Sequence, residues 1–179
     1  YFRQVGTSPY EKYYPAGIHT VPSSTTIVLP ANVLFAVDYK SWRGGTLDRL
    51  RFNVTVGVSG SARIGIYKAT SDINLYPSSL VVDSGILNTL AAGIKSAVID
   101  VKLAPNKLYW FVIVADAAPT ISAFSASGSS NIWGLSSTFT TAYLLNVAQV
   151  FGALPSTFPI GGVIISSSVI PAIDCRYSA

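Results

Sequence analysis

The feature that most constrains the fold is an alternation of apolar and polar residues over residues 46–67, TLDRLRFNVTVGVSGSARIGIY. Successive side chains of an extended chain face opposite ways, so each half of this stretch has one apolar and one polar face. Residues 59–61 interrupt the alternation. The pattern therefore predicts two half-buried strands joined by a short turn, which together form a β-hairpin.

Short β-type runs continue along the chain. Residues 25–29 and 33–37 are separated by a proline and an asparagine, which predicts a strand, a turn and a strand. Residues 94–103 alternate and lead into the turn APNK at residues 104–107. We predict that their strand partner is LYWFVIVA, residues 108–115, which is apolar on both faces and therefore belongs at the centre of the sandwich.

The remaining segments complete a β-rich pattern. Gly85 within residues 80–87 predicts a strand with a kink. Residues 142–153 fit either one helical turn or a strand, whereas residues 163–165 and 169–173 are β-patterned. About eight to eleven short strands recur at spacings of about 8 to 14 residues, without an amphipathic helix of normal length. This pattern predicts an all-β fold, an antiparallel β-sandwich, with a jelly roll as the preferred connectivity.

The domain organisation follows from length and local composition. A chain of 179 residues suits one compact domain. Residues 1–22 are rich in tyrosine and polar residues without a sustained period, so we predict an amino-terminal arm or linker there and a single β-sandwich domain over residues 23–179. The sequence contains no methionine, so we expect a processed or trimmed piece of a larger protein.

The surface of such a domain must be unusually poor in charge. Hydrophobic residues make up 50% of the chain and charged residues only 11%, whereas soluble proteins carry about 25% charged residues. Contiguous exposed apolar patches mark interfaces or aggregation sites. We therefore predict a stable oligomer or a component of a larger assembly.

The charge distribution disfavours nucleic acid as a partner. The net charge of +4 is scattered, with one modest cluster at Lys40, Arg43, Arg49 and Arg51 that is interrupted by Asp48. Nucleic-acid binding normally requires a denser basic stripe or aromatic platforms. No run of residues approaches the roughly 18 apolar residues of a membrane-spanning helix, so we expect no membrane insertion either.

The chain is poor in catalytic groups. Cys175 is the only cysteine, which excludes a disulfide within the chain and a thiolate metal cluster, and we predict that it is a small buried hydrophobe. His19 is the only histidine and lies in the predicted arm. We therefore expect a non-enzymatic protein without catalytic residues, cofactor or metal. The eight carboxylates leave a two-carboxylate glycosidase as a minor alternative.

Aromatic residues in predicted loops are the best candidates for ligand contacts, together with their polar neighbours. The candidate set is Trp42, Arg43, Asp72, Asn74, Tyr76 and Trp133. For each aromatic, burial at a subunit interface is an equal alternative, because interfaces are enriched in aromatics. Asp72 and Asn74 resemble the start of a calcium loop, but a turn stabilised by side-chain hydrogen bonds is the favoured interpretation. Trp110 and Tyr109 are predicted to be core residues.

Several motifs follow one another in a distinctive order over residues 25–176. They are TLDR at 46–49, GSARIGIY at 60–67, YP at 76–77 before LVVDSG at 80–85, GIK at 93–95, the strand ending in YW at 109–110, LPSTF at 154–158 and PAI at 171–173. This order resembles a β-sandwich domain of tail-fibre and other virion structural proteins of bacteriophages and prophages. Asn106 and Lys107 stand where that pattern more usually has a glycine turn.

The resemblance implies a virion structural protein, most of all a receptor-binding tip domain of a phage tail fibre. It implies a homotrimer on the surface of the virus particle, with other virion proteins and host surface glycan as further partners, and it supplies no catalytic residues. A capsid decoration or head-fibre protein of the same fold is the close alternative. A carbohydrate-binding module of a secreted hydrolase is the alternative from a different class.

Overall fold

The computed structural model of the chain describes residues 13–16, 24–125, 132 and 142–178. Fourteen strands run through these residues, and no helix lies among them. In chain order the strands are β1 (Tyr13–Pro15), β2 (Ser24–Val28), β3 (Val33–Ser41), β4 (Gly45–Val56), β5 (Ser61–Ala69), β6 (Pro77–Asp83), β7 (Leu87–Asn88), β8 (Gly93–Leu103), β9 (Lys107–Ala115), β10 (Thr120–Ser125), β11 (Ala142–Ala148), β12 (Val163–Ser167), β13 (Val169–Pro171) and β14 (Asp174–Tyr177).

The strands form two seven-stranded sheets in which every pairing is antiparallel. The β4 sheet consists of β1, β2, β4, β8, β10, β13 and β14. The β9 sheet has the order β12-β11-β3-β9-β5-β6, with β7 also paired to β5. The largest group of buried apolar side chains comes from the inner faces of both sheets. The predicted all-β antiparallel sandwich is confirmed.

Eight strands form the centre of this sandwich in two rows. In the β4 sheet the hydrogen-bonded order is β2-β10-β4-β8, and in the β9 sheet it is β3-β9-β5-β6. The chain changes sheet at the connections β2–β3, β3–β4, β4–β5, β8–β9 and β9–β10, and it stays within one sheet between β5 and β6. Jelly-roll connectivity as such stays a prediction.

The predicted hairpin at residues 46–67 is wrong, although its two strands are present. β4 pairs with β8, β10 and β14, whereas β5 pairs with β6, β7 and β9, so the turn between them carries the chain from one sheet to the other. Apolar alternation identifies a half-buried strand but not its hydrogen-bond partner. Phe52 and Ile64 bury their side chains in the same core from opposite sheets. The predicted pairing of residues 94–103 with 108–115 is wrong for the same reason.

The apolar run of β9 lies at the centre of its sheet, as predicted. β9 pairs with β3 on one side and with β5 on the other. Phe111 and Ile113 point into the core between the sheets, while Trp110 and Val112 belong to a second buried cluster. This second cluster includes side chains from the connection between β11 and β12. The β9 sheet is therefore buried on both faces, which explains why its central strand lacks polar alternation.

The local predictions have mixed outcomes. The kinked strand is confirmed, because β6 and β7 both pair with β5 and Gly85 between them has a φ of 74°. The ambiguous segment 142–153 begins with strand β11. Tyr109, Trp110 and Cys175 are buried as predicted.

The amino-terminal segment contributes a strand to the β4 sheet. β1 pairs with β14, and the amide of Ala16 donates a hydrogen bond to the carbonyl of Ile173 over 3.0 Å. Ala16 itself is fully buried. Residues 1–12 and 17–23 lie outside the described residues, so the boundary between arm and domain stays a prediction.

Candidate functional site

Three connections meet at one end of the sandwich, which we call the Trp42 end: residues 42–44, 70–76 and 104–106. β3 and β9 bring Ser41 opposite Lys107, and β5 and β9 bring Lys68 opposite Tyr109. These register positions lie at the ends of their strands, so the loops that follow are neighbours. The structure thus gathers five of the six predicted positions at one end: Trp42, Arg43, Asp72, Asn74 and Tyr76.

Trp42 is the most accessible aromatic side chain of this end. Its side chain is 64% exposed, and the Nζ atom of Lys40 lies 4.5 Å from the ring centroid. An ammonium group over an indole face is attracted by the ring quadrupole. The prediction that Trp42 lies in a loop is confirmed, whereas its contact with a ligand stays a prediction.

Arg43 is held between two tyrosine rings. Its guanidinium carbon lies 4.5 Å from the ring centroid of Tyr177 and 5.5 Å from that of Tyr14. These two rings meet edge to face at 5.6 Å, and the carbonyl of Arg43 accepts a hydrogen bond of 2.7 Å from the hydroxyl of Ser41. Arg43 therefore fastens the loop to strands β1 and β14, in addition to supplying positive charge at the surface.

A polar network lies beneath Arg43. The hydroxyl oxygens of Tyr39 and Tyr177 are 3.2 Å apart, and the hydroxyl of Ser41 is 3.2 Å from that of Tyr177. Burial is the main cause that raises the pKa of the Tyr39 hydroxyl, and it also raises the pKa of the neighbouring Cys175 thiol to about 12. Both groups therefore stay neutral at physiological pH, and the thiol is a poor nucleophile.

Asp72 reaches across to the β8–β9 connection. Its Oδ2 atom accepts a hydrogen bond of 2.6 Å from the Nζ atom of Lys107, and both side chains are at least half exposed. A cavity of about 380 Å³ lies beside this ion pair; its lining includes Lys68, Ser71, Ala104 and Tyr109. Exposed ion pairs contribute little to stability, so separating these two charges would cost the fold little.

Asn74 and Tyr76 support the loop from within. The hydroxyl of Ser71 accepts the amide of Asn74 at 2.9 Å, and Oδ1 of Asn74 accepts the amide of Tyr76 at 3.2 Å, which is the predicted turn. The Tyr76 ring packs edge to face on Phe158 at 5.7 Å, and its hydroxyl donates to the carbonyl of Pro159 at 2.9 Å. Among the described residues no group of three or more His, Cys, Asp or Glu side chains could hold a metal ion.

The turn that ends the third connection uses an asparagine in place of glycine. Asn106 has a φ of 57°, in the left-handed region that asparagine tolerates better than most residues. The departure from the glycine pattern at Asn106 and Lys107 therefore preserves the turn. Lys107 was not among the predicted site residues, and its position as the last residue of the turn APNK was the signal that pointed to it.

Three further aspartates accept hydrogen bonds from neighbouring strands of their own sheet. Asp48 accepts two hydrogen bonds from Arg176, at 2.8 and 2.9 Å, and this contact holds its pKa below the usual range. Asp83 accepts a bond of 2.6 Å from Arg63. Asp116 accepts the amide of Ser61 at the β4–β5 turn, also at 2.6 Å. Trp133 and His19 lie outside the described residues.

Comparison of the chain with protein-family models, with curated proteins and with solved structures gives no match. Within the described part of the chain, no helix has the length and apolar character needed to cross a membrane.

Proposed function

We propose that this chain is a non-catalytic structural protein of a virus particle, a tail-fibre or receptor-binding tip domain that assembles as a homotrimer. The observation that carries the proposal is the uncharged, exposed edge formed by β12. Supporting it are the central strand order, the structural use of the carboxylates and the resemblance of the motif order to phage virion domains.

Among the described residues, nothing gives the β12 edge the protection that is usual in a monomeric protein. β12 is the outermost strand of the β9 sheet and pairs with β11 within the described residues. Val163 and Ile164 are exposed, Ile160 beside them is 90% exposed, and residues 159–173 contain no charged side chain. Natural edge strands are commonly guarded by lysines, prolines or bulges, because an open apolar edge pairs with other chains. We infer that copies of this chain cover the edge in the assembled protein.

The central strands support a jelly roll, which we propose as the connectivity of the fold. The row β2-β10-β4-β8 faces the row β3-β9-β5-β6, and the chain alternates between them except at β5–β6. Eight antiparallel strands in two sheets with this alternation are what a jelly roll requires, and that architecture is common in viral capsid and lectin domains. Fold alone does not define function, so the edge of β12 remains the primary argument.

The first test is the mass of the purified chain by light scattering coupled to size exclusion. We expect about three times the chain mass of 18.9 kDa at micromolar concentration. Val163→Lys places a charge on the β12 edge and should give a folded monomer. Ile86→Lys, at a similarly exposed apolar position in the β6–β7 connection, is the matched control and should stay trimeric. A mass of one chain for the unsubstituted protein overturns the proposal, and a mass of two chains overturns the trimer.

The second test locates the protein on particles. Antibodies against the purified chain, coupled to gold, should label the tail tips of virus particles from cultures that produce it. Gold over the head favours the alternative of a capsid decoration or head-fibre protein. Particles without label overturn the virion assignment and favour the carbohydrate-binding module, for which the exposed indole of Trp42 is the supporting observation.

A further inference from the structure

Strand β4 changes its hydrogen-bond partner along one of its edges, and we call the place of this change, between Arg51 and Val54, the fork. One edge of β4 pairs with β8 from Gly45 to Val54. The other edge pairs first with β14, up to Arg51, and then with β10, from Val54 onwards. The segment between β13 and β14 passes through the space that separates β10 from β14. There the amide of Ala172 donates to the carbonyl of Ser122 over 3.0 Å. The sheet therefore divides at the centre of its outer face.

A cavity of about 310 Å³ lies at the fork. The residues of its lining that matter here are Arg51, Asn53, Ile94, Ser122, Phe124 and Asp174. They come from four strands that are far apart in sequence. The volume is at the small end of the range of about 300 to 1,000 Å³ for small-molecule pockets, which suits a ligand of one or two rings.

Two polar pairs lie side by side in this cavity. Nε and Nη2 of Arg51 both donate to Oδ2 of Asp174 at 3.2 Å, and both side chains are about three-quarters buried. Nδ2 of Asn53 donates to the hydroxyl of Ser122 at 2.9 Å. The Asn53 carbonyl oxygen and the Ser122 hydroxyl hydrogen then offer one acceptor and one donor to a ligand. The two pairs together carry no net charge.

The walls of the cavity are apolar. Phe124 is half-buried, and Ile94 on the opposite side is 62% exposed. An exposed isoleucine that faces an aromatic residue across a cavity with convergent polar groups is typical of a ligand pocket, where apolar surfaces supply contact area and a few polar groups fix orientation.

We propose that this fork binds a neutral pyranose sugar. Sugar hydroxyls donate and accept at once, which matches the mixed donors and acceptors of the two polar pairs, and the apolar C–H face of a pyranose packs on Phe124. Because the ion pair of Arg51 and Asp174 is internally neutral, the site has no preference for an anionic sugar. The inference deepens the proposed receptor-binding function by naming a site and a ligand class, and it does not depend on the trimer, since every residue of the site belongs to one chain.

The test uses saturation-transfer-difference NMR on the full chain with three probes at millimolar concentration: methyl α-D-glucopyranoside, methyl β-D-galactopyranoside and methyl α-D-mannopyranoside. We expect transfer to the ring protons of at least one probe. No transfer to any of the three overturns the proposal. Stronger transfer to methyl β-D-glucuronide than to every neutral probe overturns the preference for a neutral sugar.

Two variants link the signal to the fork. Ser24 lies opposite Phe124 on the neighbouring strand and lines the cavity, so Ser24→Phe fills it without removing a contact and should abolish the transfer while the melting temperature is retained. Phe124→Ala should weaken binding about tenfold through loss of the ring contact. Ile86→Ala is the matched control and should bind like the parent. Undiminished transfer in a folded Ser24→Phe variant overturns the site. The mass measurements above report on the trimer independently of these results.

Discussion

Phe158 holds the β11–β12 connection against the outer face of the β9 sheet, and its removal tests whether this face is a second core. Its side chain is buried, with ring centroids 5.2 Å from Tyr67 and 5.7 Å from Tyr76, both edge to face. Its amide also donates to the carbonyl of Ser78 at 2.7 Å. Phe158→Ala therefore removes the central ring of a cluster of three edge-to-face rings and leaves the backbone contact in place.

The expected loss in the free energy of unfolding is large for a residue that lies in a connection between strands. A buried phenylalanine replaced by alanine costs about 3–5 kcal/mol, and edge-to-face ring pairs add to the burial term, so we expect about 4 kcal/mol here. For a domain of this size that loss lowers the melting temperature by about 8–16 °C. Phe158→Leu keeps most of the apolar volume and should lose less than half as much.

Urea unfolding and calorimetry at one fixed protein concentration measure the effect, because assembly makes stability concentration-dependent. Ile73→Ala, at a side chain that is 96% exposed, is the control and should change the free energy of unfolding by less than about 0.5 kcal/mol. A loss below about 1 kcal/mol for Phe158→Ala would refute the second core, because cavity formation in a packed interior cannot be so mild.

Three further predictions concern the folded state. Gly57→Ala should lower the free energy of unfolding by about 1–3 kcal/mol in urea, because its Cβ would lie 2.1 Å from the backbone oxygen of Leu90. The contact with Arg176 lowers the pKa of Asp48 in the folded state, so its stabilisation is present above the unfolded pKa and is lost as pH falls through the folded one; the difference in urea stability between parent and Asp48→Asn should shrink on acidification. Cys175 should react with a thiol reagent at neutral pH only at the rate of unfolding, since it is buried and its pKa is about 12.

The strands of this protein follow from local pattern, and their partners do not. β4 is recognisable because every second residue from Leu50 to Val54 is apolar, and β9 because its run is apolar throughout. Alternation reports only that one face is buried. Whether the next strand lies beside it or across the core depends on the connection, and at residues 57–60 the chain crosses. The amide of Val58 bonds to the carbonyl of Thr89, so the turn is fixed by a segment thirty-one residues away.

The candidate sites, like the strands, were predictable from the sequence only in their local features. A loop position for Trp42 and Asp72 was predictable from composition, because turn residues surround both. That both residues lie at the same end of the sandwich was not predictable, since it depends on β3, β5 and β9 being neighbours in one sheet. The fork in the β4 sheet had no local signal, because Arg51 and Asp174 are 123 residues apart and meet only after the last strand returns to the sheet.

The proposed surfaces for assembly and for sugar lie on different sheets, which makes their contributions separable. β12 is the edge of the β9 sheet, whereas the fork opens on the outer face of the β4 sheet. Val163→Lys should therefore leave the affinity for a monosaccharide unchanged in each chain. Binding to a surface densely coated with that sugar should fall by about 10²–10⁴-fold, because three linked sites bind with a high effective concentration and one site does not. Equal affinity of monomer and trimer for the coated surface would contradict a role of the trimer in sugar recognition. A weakened monosaccharide affinity in Val163→Lys would show that the β12 edge and the fork are coupled.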